Sequence, residues 1–173
     1  MEYDLCILLI ILIIWLIIYI ILEFNIINKK RIEVKKSFLD VDDIFAKRII
    51  VLSKIVDIVK GYDRNQFDEF GSRLYDYSNS YSEYDYNKKI ETNELIEIDI
   101  KKILLVSKVY PELKEQNKFV KYEKQLVRYS KVINKLKIKY NRVLDNYNNR
   151  KKIFPSGLIC ALLKFYNYNY FKM

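Results

Sequence analysis

Enzymatic chemistry needs side chains that can hold, move or share a proton, and this 173-residue chain lacks the most versatile of them, because it contains no histidine. That removes the commonest general base, the Ser–His and Cys–His nucleophile pairs, and the usual zinc, iron or copper ligand. Carboxylate pairs remain, notably Glu94 with Glu97, and Asp63 near Asp68 and Glu69. They fall in polar stretches that read as solvated, so neither a raised carboxyl pKa nor a metal cage is expected of them. Serines and lysines are present, yet no glycine-rich oxyanion turn or phosphate loop accompanies any serine. The two cysteines, Cys6 and Cys160, lie near opposite ends. They read as separate small apolar groups, with no disulfide between them. The expectation is a protein that is not an enzyme, with no catalytic residue, cofactor or metal.

Charge is the other resource. The chain is basic, with a net charge of +9. Residues 117–152 hold twelve Lys or Arg against two acids, whereas residues 62–99 hold ten acids against four bases. A basic face of this kind attracts nucleic acid, anionic lipid or an acidic protein. No nucleic-acid-binding motif goes with it, and the acidic stretch offers a partner inside the chain.

These groups must be positioned by helices. From Leu5 to Leu22 there is no charge, and fifteen of eighteen residues are Ile or Leu, interrupted by Trp15 and Tyr19. Its summed insertion preference is roughly −5 to −9 kcal/mol, and as a helix it is about 27 Å long, so it reads as a transmembrane span. Glu2 and Asp4 precede it and no small-residue cleavage site follows, so a permanent span is expected rather than a signal peptide. Lys29, Lys30, Arg31, Lys35 and Lys36 follow it, which by the positive-inside rule puts the N-terminus outside and the remainder in the cytoplasm.

Beyond the span the apolar residues recur at steps of three and four. Phe38, Val41, Phe45, Ile49, Leu52, Val56 and Val59 form a first stripe ending at Gly61, and its helix could run on from the span. Phe67, Phe70, Leu74, Tyr77, Tyr81 and Tyr84 form a second. Residues 87–93 read as a polar connection, with Thr92 or Asn93 capping a third helix through Ile96, Ile100, Ile103, Leu104 and Ser107. The alternation in Leu95–Ile100 also fits a strand, but a lone strand would have no partner. The longest seam, with the spacing of a coiled coil, runs Phe119, Tyr122, Leu126, Tyr129, Ile133, Leu136, Tyr140, Val143, Tyr147. Short connections favour antiparallel neighbours. The fold class expected is therefore all-α, a transmembrane helix (residues 1–28) followed by an antiparallel up-and-down four-helix bundle (residues 29–173) with a short apolar tail.

Several motifs stand out against this frame. At Tyr110-Pro111-Glu112-Leu113-Lys114, Pro111 ends the third helix, Leu113 tucks under the corner, and Asn117 caps the last helix ahead of Phe119. Tyr140-Asn141 and Tyr147-Asn148 recur seven residues apart on one face, where each Asn can bond across to another segment. Phe154-Pro155-Ser156-Gly157 breaks the long helix, and Leu158–Phe171 reads as an apolar segment packing at the membrane end of the bundle or lying in the interface.

The Tyr-Pro-Glu-Leu-Lys…Asn-x-Phe block at 110–119 and the Tyr-Asn-x-Val…Tyr-Asn…Phe-Pro-Ser block at 140–156 resemble the signatures of the LemA family. Arg48 and Val59-Lys60-Gly61-Tyr62 also sit where its members carry an arginine pair and a Val-Lys-Gly-Tyr end to the first helix. The chain departs from the family pattern at Ile50–Val56, at Ser130 in place of a glutamate, and at Lys137 in place of an arginine. The resemblance implies a cytoplasmic, membrane-tethered four-helix bundle and brings no catalytic residue or cofactor. The function expected is a bacterial inner-membrane interaction or scaffold module. Its partners would be the lipid bilayer and membrane or membrane-proximal proteins, self-association staying open. The alternative is electrostatic binding of anionic lipid or nucleic acid through the basic face.

Overall fold

The structure is a computed structural model that describes residues 2–62 and 64–173; the side chains of Glu2, Arg64, Asn65, Gln66, Glu69 and Ser107 stand outside the description. Asp63 and the side chains of Glu69 and Ser107, singled out above, therefore lie outside the description. Among the described residues the chain is all-helical, with α1 (Glu2–Val59), α2 (Arg64–Ser80), α3 (Tyr86–Val109), α4 (Asn117–Lys151) and the short α5 (Ser156–Leu162). It divides into two compact units, each drawn from non-adjacent stretches, where the sequence divides most naturally once, after residue 28. One unit comprises Met1–Ser37 with Arg142–Asn167, the other Phe38–Asn141 with Tyr168–Met173.

The apolar run and the first stripe belong to one unbroken helix of 58 residues, because no Gly or Pro interrupts the chain before Gly61. An 18-residue window of α1 has a mean hydropathy of 3.5 and none of it is buried, so this helix is long and apolar enough to cross a membrane. Leu5, Trp15 and Leu22 all stand exposed, with Trp15 stacked on Tyr19 at 5.8 Å. Ile27 is fully buried, so it packs against protein and does not lengthen the exposed apolar run.

In the first unit, Glu23 is the organising polar group. It is nearly buried, and it accepts hydrogen bonds from Arg150 and from the Ser156 hydroxyl at 2.8 Å. A carboxylate buried beside a long apolar run would be costly alone, and the guanidinium offsets its desolvation. Phe165 packs edge-on against Phe24 and lies 4.5 Å below the Arg31 guanidinium. Cys6 and Cys160 are both free; burial pushes the Cys160 thiol up, with Lys151 and Arg31 opposing. Gly157 sits so close to the end of α4 that a Cβ there would lie 2.5 Å from the Lys151 carbonyl oxygen.

In the second unit, every residue of the first stripe from Phe38 to Val59 is buried, and so are Phe67, Phe70, Leu74, Ile96, Ile100 and Ile103. Along α4 the fully buried side chains fall every seventh residue as far as this unit extends: Phe119, Leu126, Ile133 and Tyr140. Tyr122, Tyr129 and Leu136, the alternate positions, are half-buried. A step of three or four residues turns a helix by about 300° or 400°, so one member of each pair takes the centre of the buried face and the other its edge. Lys137 enters the buried face in their place.

The sequence expectation fails at two places. α2 ends at Ser80 and Tyr81–Glu83 form a 3₁₀ turn, so the second stripe does not run on as α-helix to Tyr84. Residues 87–93 are not a connection. α3 starts at Tyr86, capped by Asp85, whose carboxylate accepts from the Lys88 amide at 2.8 Å. Thr92 and Asn93 lie inside the helix because their polar atoms are satisfied there, Thr92 by the Lys88 carbonyl and Asn93 by Arg48. The strand alternative for Leu95–Ile100 gives way to the same helix.

Candidate interaction site

The polar side chains that the sequence scatters over 90 residues converge on Arg48. It is fully buried on α1, and its guanidinium donates to the Glu97 carboxylate at 2.5 Å and to the Asn93 side-chain carbonyl at 2.8 Å. Asn93 and Glu97 are four residues apart, so one face of α3 presents both. Lys137 of α4 adds a second cation 3.8 Å from Glu97. Burial lowers the pKa of both Arg48 and Lys137 from their ordinary values, and Glu97 works against that shift in each. Glu97 is thus a carboxylate between two cations, not half of an acidic pair. Glu94 turns away to Lys172 at 2.9 Å.

Two further ties hold the frame. Asp42 accepts from the Tyr81 hydroxyl and from Lys89 at 3.0 Å, binding the start of α3 and the 3₁₀ turn to α1. Burial, then Asp42, raise the Tyr81 pKa, so this phenol stays protonated and keeps donating. Arg73 of α2 meets the buried Asp99 of α3 at 3.2 Å. The described ion pairs of α2 run to Lys60, in the turn just past α1, and to α3, whereas those of α4 run to α1 and α3. The complement expected between the acidic α2 and basic α4 does not figure among them.

The motif residues take up structural corners. Tyr110 caps α3 and its ring lies 5.6 Å from that of Tyr62; Pro111 begins a 3₁₀ turn, Leu113 is fully buried, and Lys114 is exposed. Asn117 is the first residue of α4 and is exposed; Phe119 is fully buried. Tyr140 donates to the Asn169 carbonyl at 3.1 Å. Asn141 makes a reciprocal pair with Phe171, donating to its carbonyl at 2.8 Å and accepting from its amide at 3.0 Å. Phe171 then stacks on Phe38 and meets Tyr140 edge-on. Tyr147 is fully buried under the Lys151 ammonium, Asn148 is half-buried, Phe154 is largely exposed, and Pro155, buried, follows a cis bond.

A groove of about 670 Å³ lies over the Arg48 network. α3, α4 and residues 172–173 line it, with Ile98 and Ile138 as exposed apolar walls, Lys101 as a cation, and Lys137 and Lys172 paired with Glu97 and Glu94. The outer face of α3 continues the apolar character through Leu95, Leu105 and Val109, all exposed and in helical register with Ile98. In the sequence alone Arg48 and Lys137 stand out only as points of comparison, Asn93 carries the side chain of a cap, and Glu97 lies in a polar stretch. A signal existed: Asn93 is in 3-4 register with Ile96, Ile100 and Ile103, and Lys137 with Ile133 and Tyr140, so both are polar residues on buried faces.

Together these features define an all-helical protein with one apolar helix of membrane-crossing length and a buried polar network in its helical part. A model of the LemA family matches residues 37–173, and the chain belongs to that family. No curated protein and no solved structure gives a match.

Proposed function

We propose that the chain is a single-pass, membrane-anchored interaction module whose cytoplasmic helices dock a protein partner, acting through its surface and not as an enzyme. Residues 5–22 form the anchor and Lys29 to Lys36 set the orientation. The observation that carries the reading is the α3–α4 groove, where two exposed isoleucines stand beside Lys101 and between the ion pairs Lys137–Glu97 and Lys172–Glu94. An amphipathic segment with apolar residues at helical spacing and an acidic residue placed to meet Lys101 complements that surface. A photo-crosslinking side chain at Ile98 or Ile138, used in native membranes, tests it. The expected adduct is one dominant protein joined through an acidic amphipathic peptide and lost in Lys101→Glu. Adducts no more frequent than those from the exposed Tyr75 of α2 would refute the proposal.

A second reading rests on a different observation. Lys118, Lys121, Lys124, Arg128, Lys131, Lys135 and Lys139 are exposed along α4 at steps of three and four, one continuous basic stripe. If this stripe binds phosphates, six or more contacts would cost roughly 10³-fold or more in affinity between 50 and 200 mM salt. A packed protein interface would be far less sensitive.

A further inference from the structure

We infer that the turn after α4 and the short α5 form a second membrane contact, inserting into the lipid interface beside the emerging anchor. The inference rests on the anchored reading of residues 5–22. The chain here packs one side and leaves the other bare. Ile159, Cys160 and Phe165 are buried, while Ile153, Phe154, Leu158, Leu162 and Leu163 are exposed, Phe154 and Leu162 by more than 70%. Five large apolar side chains within eleven residues are more than the scattered single exposures of an ordinary surface.

Location identifies what covers them. Glu23 is the first charged residue after the apolar run, and Arg150 and Ser156 both bond to it. The bare face therefore lies at the level where α1 leaves the hydrocarbon. Phe165 then returns along α1 to sit against Phe24 and Arg31, so residues 151–164 are the outermost loop of this unit at that level. The rim is cationic, with Lys152 and Lys164 exposed on the loop and Lys29 exposed on α1. Lysines that flank apolar side chains at this depth extend toward headgroups and favour anionic lipid. An apolar face with such a rim settles about 5–10 Å into the headgroup–acyl boundary. Two points of attachment would also fix the rotation of α1 about its axis, which a lone span leaves free.

Trp15 is the only tryptophan, so it reports the anchor, and Phe154→Trp or Leu162→Trp on a Trp15→Phe background reports the loop. The full chain is reconstituted in phosphatidylcholine–phosphatidylglycerol vesicles brominated at a shallow or a deep acyl position. Both loop probes should lose emission roughly twofold to the shallow bromine and less to the deep, as a side chain at the headgroup–acyl boundary would. Trp15 in the parent chain should respond most to the deep bromine. A quenched Trp15 with unquenched, water-like loop emission overturns this inference and leaves the anchor standing. Blue-shifted loop emission without bromine quenching overturns it too, by showing that a second copy or another protein covers the face. An unquenched Trp15 would remove the anchor and the inference together.

Discussion

Replacing Arg48 by methionine keeps the volume of the buried side chain and removes its charge and donors. The loss can be worked from its partners. Orphaning a fully buried carboxylate costs about 3–5 kcal/mol. Glu97 keeps a quarter of its side chain in solvent and Lys137 at 3.8 Å, which lowers that share to roughly 2 kcal/mol. Asn93, almost wholly buried, loses the donor to its carbonyl and adds about 1 kcal/mol. The expected total is about 3 kcal/mol, or a drop in Tm of roughly 6–12 °C for a domain of this size. Thermal unfolding of the full chain in detergent, followed by far-UV circular dichroism, measures it. Adding Glu97→Gln to Arg48→Met should cost at least about 1 kcal/mol less than the sum of the two single changes, because Glu97→Gln then no longer strands Arg48, although it leaves Lys137 without its carboxylate. A single variant within about 1 kcal/mol of the parent, or a strictly additive pair, would refute the network as described.

Lys137→Met leaves Glu97 bonded to Arg48, so at neutral pH it should equal or exceed the parent in stability, within about 1 kcal/mol. Because the folded-state pKa of Lys137 is depressed, the unfolded chain binds more protons between the two values, and the parent gains stability as pH rises toward the ordinary lysine range. The margin between variant and parent should therefore shrink on titration, and a growing margin would contradict the assignment. Asn141→Ala frees both backbone groups of Phe171 and should destabilise by about 1–3 kcal/mol, with faster hydrogen exchange at the Phe171 amide. Gly157→Ala forces a Cβ against the Lys151 carbonyl and should cost about 1–3 kcal/mol, read from the melting temperature; an unchanged melt would contradict the close approach.

Helical character and the apolar first helix were readable because periodicity reports burial directly, and the residues from Phe38 to Val59 follow their stripe without exception. The boundary at Tyr86 was not. Thr92 and Asn93 carry the side chains of a cap, and only the distant Arg48 and the local Lys88 carbonyl make them acceptable within a helix. The polar network was hidden for the same reason, since its members lie on three helices and each looks ordinary in its own neighbourhood. Composition also cannot tell an exposed isoleucine such as Ile26 from Ile27, which protein covers. Asn141 was legible as a group that bonds across helices, though its partner, the backbone of Phe171, was not.

The most direct test of the account is the accessibility of the exposed α4 position Lys121 in intact cells, introduced as Lys121→Cys on a Cys6→Ser background and treated with a membrane-impermeant thiol reagent. No labelling is expected until the membrane is permeabilised, then complete labelling while the chain stays in the membrane fraction. Prompt labelling of intact cells would contradict a cytoplasmic helical module.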